Sequence, residues 1–150
     1  MATLTGKSPR VSSDVAVPPL SARPPAPPAD LLDLEAEAKL LRSLRAYEAH
    51  GQAAKTLVKH DHFRVVLIAL KRGRRCPQHH AGSSLSVQAF DGSIKVHLTA
   101  GGVIELRSGY VLALAPAVAH DLEALEDSTL LVTLAWTGSD ASGSPFGRAA

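Results

Sequence analysis

The chain has 150 residues, of which 45% are hydrophobic and 20% are charged, so a single domain with a buried core is expected. The formal net charge of +2 gives no electrostatic reason to expect nucleic acid or an anionic membrane as a partner. The longest apolar run, 110–119, is shorter than the ~18 residues of a membrane span. One cysteine, and no apolar block in the first 20 residues, predict a soluble protein of the reducing cytoplasm.

Both ends of the chain have the composition of disordered tails. The first 30 residues contain seven of the ten prolines and almost no large apolar side chains. Such a segment cannot bury enough apolar surface to offset the entropy cost of ordering it, which predicts a disordered, Pro-rich tail over 1–29. Small and polar residues dominate after Trp136 and predict a second disordered tail over 138–150.

An amphipathic helix is predicted over 30–51. Asp30 follows the prolines as a candidate N-cap, strong helix formers come next, and Gly51 offers a C-terminal stop. Apolar side chains recur at three- and four-residue spacing on one face: Leu34, Ala38, Leu41, Leu44 and Tyr47. This face must be covered. Packing on the following domain is the favoured interpretation, and a dimer interface is the alternative.

From about residue 55 the hydrophobic pattern changes to a period of two. The pattern predicts strands at 55–59, 63–70, 84–90, 93–98, 103–106, 110–114 and 129–136. Strands at this density, joined by short turns, indicate an all-β sandwich or barrel. Asp91-Gly92 predicts a two-residue hairpin that pairs position 90 with 93 and position 89 with 94. In that register His97 faces away from the core.

The first of two spaced motifs occupies 73–92. Its pattern is Gly, five residues, His-x-His, three or four residues, Glu, six residues and Gly, and the three-residue option fits the spacing completely. His79 stands at the first His position. Ala81 replaces the second His, and Leu85 replaces the Glu.

The second motif occupies 109–124, with the pattern Gly, five residues, Pro-x-Gly, two residues, His, three residues and Asn. His120 stands at the position of the last metal ligand, while alanines replace the Pro, the Gly and the Asn. With both spacings kept, the stretch 55–137 resembles the cupins, in particular the small single-domain type-2 cupins. The resemblance implies an antiparallel, jelly-roll-like β-barrel whose open end holds a metal or a small ligand, and it implies a homodimer.

The resemblance also implies which residues form the site. The ligand pocket and its lining would include His79, Leu85, Val87 and His120. The two matched metal ligands would be His79 and His120. A register with four residues before the Glu position puts Gln78 and His80 at the first-motif His positions instead, and Leu85 still replaces the Glu.

The loss of the carboxylate at Leu85 decides how the site is interpreted. Catalytic zinc needs about three protein ligands, and non-haem iron typically uses two His and one carboxylate. A third ligand would have to come from elsewhere, and four side chains are candidates: His80, Glu105, Asp121 and Glu123. Of the last two, at most one is expected to point the same way as His120 on its strand.

Two functions of different class follow. The lost carboxylate favours a non-catalytic module that binds or senses a small molecule and needs no cofactor. The alternative is a metal-dependent oxygenase or isomerase acting on a small organic metabolite, with Fe, Zn, Mn or Ni. An interaction protein that uses helix 30–50 is a third possibility. The motifs of triad hydrolases and nucleotide-binding enzymes are absent from the sequence.

Basic side chains crowd a predicted hairpin beside Cys76. They are Lys71, Arg72, Arg74 and Arg75. A solvated turn is favoured over an anion-binding rim. Neighbouring cations also suggest a weaker hypothesis, in which the thiol pKa of Cys76 is lowered and the thiolate is reactive. His50, His60 and His62 are predicted to be surface residues of a helix end and a turn.

Overall fold

The computed structural model describes residues 28–79 and 82–136, with the backbone alone at positions 78 and 79. Within these ranges two short helices precede nine strands, which form two antiparallel sheets. The prediction of an all-β fold with a helical segment before it is therefore confirmed. The predicted tails over 1–29 and 138–150 lie outside the described residues, except for positions 28 and 29.

The elements follow one another in a simple order. In the described residues they are α1 (Leu34–Ser43), α2 (Arg45–His50), β1 (Gln52–Lys59), β2 (Phe63–Leu70), β3 (Arg75–His79), β4 (Ser84–Asp91), β5 (Ser93–Leu98), β6 (Val103–Arg107), β7 (Val111–Leu114), β8 (His120–Ala124) and β9 (Ser128–Ala135). The larger sheet has the strand order β1-β2-β9-β4-β7, and the smaller sheet has the order β3-β8-β5-β6. Non-consecutive neighbours in both sheets give the crossed connections of a jelly roll.

The apolar faces of the two sheets meet in one core. Val87 and Leu130 of the larger sheet and Ile94 and Val96 of the smaller sheet are all fully buried there. Side chains alternate between the two faces of a strand, so the period-two pattern of the sequence leaves polar residues on the outside. The core therefore lies between the sheets and runs from one end of the strands to the other.

Helices α1 and α2 cover the outer face of the larger sheet. Ala38, Leu41 and Tyr47 pack against Leu67 and Ala69 of β2 in a second apolar cluster. The favoured interpretation of the apolar stripe, packing on the domain that follows it, is confirmed. Neither helix is long and apolar enough to cross a membrane, and the search that established this covered the described residues.

A polar contact fixes α1 on this sheet. The Arg42 guanidinium donates from Nη2 to both carboxylate oxygens of Asp91, each at 2.7 Å, and to Oγ1 of Thr129 at 2.7 Å. Asp91 ends β4 and Thr129 lies at the start of β9. One arginine therefore ties the helix to two strands.

The helical segment differs from the single helix predicted over 30–51. Asp33 rather than Asp30 is the N-cap, because its carboxylate accepts a hydrogen bond from the backbone N–H three residues on, at 3.0 Å. Leu44 has extended backbone angles (φ −71°, ψ 142°), which separates α1 from α2. Its side chain is 41% exposed, so Leu44 does not belong to the packed stripe. Gly51 ends α2 with a φ of +70°, as predicted.

The hairpin predicted at Asp91-Gly92 is wrong. β4 pairs with β7 and β9, whereas β5 pairs with β6 and β8, so this turn carries the chain from one sheet to the other. Val87 and Ile94 still share one core, because the two sheets pack face to face. Alternation fixes which face a side chain takes but does not fix the partner strand.

The sequence pattern predicts no strand at the position of β3, and for β8 it indicates only that the residues after His120 lie on a strand. β3 contains Pro77 and mostly polar residues, which weaken a strand signal, and proline is tolerated there because β3 is an edge strand. Arg75 therefore lies in a strand, not in the predicted hairpin. These two strands carry the candidate ligand positions 79 and 120.

Candidate functional site

One end of the barrel collects the candidate site positions. At the far end of the barrel from these positions, the Leu125 N–H donates to the Ser93 carbonyl at 3.0 Å and Gly92 lies close to Ser128. Every neighbouring pair in both sheets is antiparallel. The starts of β2, β4 and β8 and the ends of β3, β5 and β9 therefore meet at the end that carries the candidate site positions. We call this the His120 end of the barrel.

Positions 79 and 120 lie directly opposite each other on β3 and β8. His120 is 3% exposed and shares the inward face of β8 with Leu122 and Ala124. Only the backbone of His79 is described, and the same holds for Gln78 of the alternative register. His80 and Ala81 lie outside the described residues.

The His120 ring has a defined orientation. Its Nδ1 lies 2.9 Å from the carbonyl oxygen of Val118. A carbonyl oxygen only accepts, so Nδ1 carries the proton and donates. In the neutral ring Nε2 then holds the lone pair. A histidine oriented in this way is suited to hydrogen bonding with a ligand, to proton transfer or to metal ligation.

Leu85 and Val87 point inward from β4 into the apolar core. Leu85 is 9% exposed and Val87 is fully buried. In the sheet, Leu85 pairs with Leu114 on β7 and with Leu134 on β9. The motif position that calls for a carboxylate is therefore an alkyl side chain with an alkyl neighbour on each side in the sheet.

Asp121 and Glu123 both point away from the side on which His120 lies. Side chains alternate along β8, so His120 and Leu122 are buried while Asp121 and Glu123 face outward. The sequence allowed at most one of these carboxylates to point the same way as His120, and in the structure neither does, because residues two positions apart on a strand share a face.

Ion pairs hold these carboxylates on the outer face of the smaller sheet. Arg75 donates from Nε and Nη2 to Oδ2 of Asp121, at 2.8 and 2.6 Å, and this contact raises the pKa of Arg75. His97 donates from Nε2 to Glu123 at 3.0 Å, which confirms that His97 lies outside the core. Glu105, the third candidate, is exposed on β6.

A groove of about 300 Å³ opens on this outer face. It is lined by Arg75, His97, Leu98, Thr99 and Asp121. Oδ1 of Asp121 is buried without a hydrogen-bond partner, because both bonds from Arg75 go to Oδ2. The groove lies on the opposite side of the sheet from the His120 ring, so it does not form one site with that ring.

The described donors do not fit the metal centre that the motifs imply. No group of three His, Cys, Asp or Glu side chains able to hold a metal is found among the residues that the structure describes. The carboxylates at 105, 121 and 123 face outward, whereas His120 faces inward. Catalytic zinc and non-haem iron both call for more ligands on one side of the sheet than these residues supply.

Three polar side chains at the His120 end were not predicted as site residues: Arg64, Ser83 and Trp136. The Arg64 guanidinium carbon lies 5.4 Å from the centroid of the Trp136 ring, a cation–π distance. Nε of Arg64, Oγ of Ser83 and Nε1 of Trp136 are buried without a hydrogen-bond partner. The sequence contains a signal for Arg64. The period of two in β2 puts this charged side chain on the same inward face as the apolar Val66.

The burial of Cys76 contradicts the weaker hypothesis of a reactive thiolate. Cys76 points into the core from β3 and is 8% exposed. Burial raises the pKa of its thiol, and this effect outweighs the opposing influence of Arg74. His50, His60 and His62 are exposed, as predicted.

No model of a protein family matches the sequence, and a search of curated proteins found no match. Solved structures do match. An RmlC-like cupin from Desulfovibrio desulfuricans is 22% identical, with a TM-score of 0.55 over 63% of this chain and 92% of that chain. A cupin superfamily protein from Desulfitobacterium hafniense is 14% identical, with a TM-score of 0.61 over 74% of this chain and 94% of that one. The chain has the cupin fold.

The cupin fold is shared with an enzyme as well. A variant of salicylate 1,2-dioxygenase from Pseudoaminobacter salicylatoxidans is 20% identical, with a TM-score of 0.66 over 84% of this chain and 41% of that chain. The motif resemblance is thus confirmed at the level of the fold. Because one fold serves many functions, the function has to be argued from the site.

Proposed function

We propose that this cupin is a non-catalytic module that binds or senses a small molecule at the His120 end of its barrel, with an incomplete metal site. Leu85 carries this proposal. It occupies the carboxylate position of the motif, and it is buried in the apolar core at 9% exposure. An alkyl group has no atom that can ligate a metal, and the nearby carboxylates face the other side of the sheet.

The strand register supports a role for both histidines in ligand binding. Directly opposed residues of an antiparallel pair have Cβ atoms about 4.5–5.5 Å apart. Positions 79 and 120 are such a pair. An imidazole can both donate a hydrogen bond to a ligand and accept one from it, so two histidines at paired backbone positions could serve one ligand. The proposed pocket therefore combines His79 and His120 with the apolar side chains of Leu85 and Val87.

The surroundings favour a ligand with an apolar body. Leu98, Val118 and Trp136 are partly buried and pack against the core at the His120 end. Small-molecule sites are mostly apolar, with a few polar groups that orient the ligand. A small organic metabolite fits this description better than a strongly hydrated ion.

The second candidate is a metal-dependent cupin oxygenase or isomerase. His120 favours it, because a buried ring whose Nδ1 donates to a carbonyl is oriented as metal-ligating histidines are. The similar fold of a dioxygenase agrees with this function. A divalent ion such as Fe, Zn, Mn or Ni would then need His79, His120 and a third ligand that the described residues do not supply.

Metal content separates the two candidates. The chain would be purified without an affinity tag, incubated with Fe, Zn, Mn or Ni, dialysed and assayed by elemental analysis. We expect no stoichiometric metal in the wild type, in His79→Ala or in His120→Ala. His97→Ala is the matched control, because His97 lies on the outer face. One metal per chain in wild type and His97→Ala, lost in the other two variants, would contradict the metal-free module and favour the enzyme, which oxygen-uptake and substrate screens would then test.

We also propose a homodimer located in the reducing cytoplasm. Both sheets end in strands with unpaired backbone groups, and such edges are commonly covered. Tyr110 and Val111, at the β7 edge, are 63% and 64% exposed, which is unfavourable for apolar side chains in water. Light scattering should give twice the chain mass of 15.7 kDa, and the mass of one chain would contradict the dimer.

A further inference from the structure

Arg64 is a cation on the inner, apolar face of the larger sheet. It pairs in register with Leu134 and shares its strand face with the buried Val66. Its guanidinium lies over the Trp136 ring, and its Nε is buried without a partner. The ion pairs found among the described residues leave Arg64 without a carboxylate. The guanidinium is thus partly buried over an aromatic ring, and no carboxylate among the described residues pairs with it.

Two further donors lie at the same end of the barrel. Ser84 pairs with Ala135, so Ser83 and Trp136 are the next residues beyond that pair. Ser83 is 7% exposed, and neither its Oγ nor the Trp136 indole N–H has a partner. A buried donor without an acceptor is costly, and three such atoms near one end of a barrel indicate a missing acceptor.

The missing acceptor is also linked to the lost carboxylate. Leu134 pairs with Arg64 on one side and with Leu85 on the other, so these three residues form one row across the sheet. A Glu at position 85 would place a negative charge in the same row as Arg64. With leucine there, the inner face at this end carries a guanidinium and no described carboxylate, which favours an anion over a metal cation.

We propose that Arg64, Ser83 and Trp136 bind the carboxylate of a small organic acid whose apolar body lies against Leu85. The planar guanidinium fork matches the two oxygens of a carboxylate, and the indole N–H and the serine hydroxyl each add a donor. This ligand class rests on the proposed binding function. It deepens that function by naming the charge and the shape of the ligand.

Trp136 is the single tryptophan of the protein and reports directly on this site. Its fluorescence would be followed during titration with hexanoate and with hexanamide, a neutral amide of nearly the same shape. Hydrogen bonds to a charged group lead us to expect that hexanoate binds about tenfold or more tightly than hexanamide. Added KCl should weaken hexanoate binding and leave hexanamide binding unchanged.

Variants assign the preference to named residues. Arg64→Met should reduce hexanoate affinity to that of hexanamide, Arg64→Lys should keep part of the preference, and Ser83→Ala should cost less than Arg64→Met. Arg107→Met is the control, because Arg107 is exposed on the outer face of β6. Circular dichroism would check folding. If Arg64→Met does not fold, Arg64→Lys and Ser83→Ala still test the assignment.

Several outcomes would overturn the carboxylate assignment. Equal affinity of wild type for hexanoate and hexanamide would do so while leaving the proposed binding function intact. A carboxylate preference that survives Arg64→Met, or inorganic phosphate that binds as tightly as hexanoate, would also do so. If neither hexanoate nor hexanamide changes the Trp136 signal, the carboxylate assignment fails as well, whereas the proposed binding function stands or falls by the metal-content experiment.

Discussion

Gly92 joins the two sheets at a point where no side chain fits. Its φ is +78°, a conformation that L residues rarely adopt. A Cβ there would contact Ser128 Oγ, and it would lie 2.6 Å from the Asp127 carbonyl oxygen and 2.8 Å from the Ser128 Cα. Two of these atoms belong to the backbone and cannot move without shifting the start of β9.

Gly92→Ala is therefore expected to lower the free energy of unfolding by about 2–4 kcal/mol, measured by urea denaturation. Gly73→Ala is the matched control, since Gly73 has a φ of +80° but nothing within 4 Å of the added Cβ. Only conformational strain acts there, so the control should lose about 1 kcal/mol. Equal losses in the two variants would contradict the steric argument.

Burial makes Cys76 a structural thiol. Because burial raises its pKa above the ordinary value of 9.0, the folded protein should react slowly with iodoacetamide at neutral pH, and the urea-unfolded chain should react fast. Above that ordinary value the unfolded chain ionises first, so the folded state loses stability as pH rises. Cys76→Ala should remove this part of the alkaline loss. Rapid labelling of folded protein would contradict the burial.

The spacing of residues in the two motifs predicted more of the candidate site than the local hydrophobic pattern did. The two motif spacings led to His120 and to Leu85, and the structure places His120 inward and Leu85 in the core. Alternation along β8 also determines where the carboxylates lie, since it puts Asp121 and Glu123 on the face opposite His120. The burial of Cys76 and the lack of a hydrogen-bond partner for Nε of Arg64 depend on packing between strands that are distant in sequence. A single sequence does not show this packing.

At the scale of elements, α1 is held by one apolar face. Leu41 is 1% exposed against the larger sheet, whereas its neighbour Leu40 is 50% exposed. Leu41→Ala should cost about 2–5 kcal/mol of unfolding free energy because it leaves a cavity. Leu40→Ala should change stability by about 0.5 kcal/mol or less. Urea denaturation of both variants tests this, and similar losses at the two positions would contradict the packing of α1.

Element type was more predictable than element pairing. The period of two identified most of the strands, and the period of the helix identified its buried face. The break at Leu44 was not predictable, because leucine is a strong helix former and no capping side chain marks the position. The assignment of β4 and β5 to different sheets was not predictable either, because alternation is the same for either partner strand. β3 was missed because Pro77 and its polar residues are acceptable only at a sheet edge.

The whole molecule is a barrel of cupin fold, and we propose that it binds a small molecule at its His120 end without a metal. The apolar core then extends to Leu85. The polar side chains at the His120 end of the barrel would form hydrogen bonds with the ligand and not with a metal. In a metal enzyme, the ion would instead be needed for the reaction and would contribute directly to substrate binding.

The most direct measurement is the NMR shift of the Trp136 indole N–H during titration of EDTA-dialysed protein with hexanoate and, separately, with hexanamide. Trp136 gives the single indole signal of the chain. We predict a saturable, one-to-one shift in the metal-free protein with at least one of these ligands, weakened by His120→Ala. A signal that stays unchanged without metal, and shifts only after Fe, Zn, Mn or Ni is added, would contradict the account.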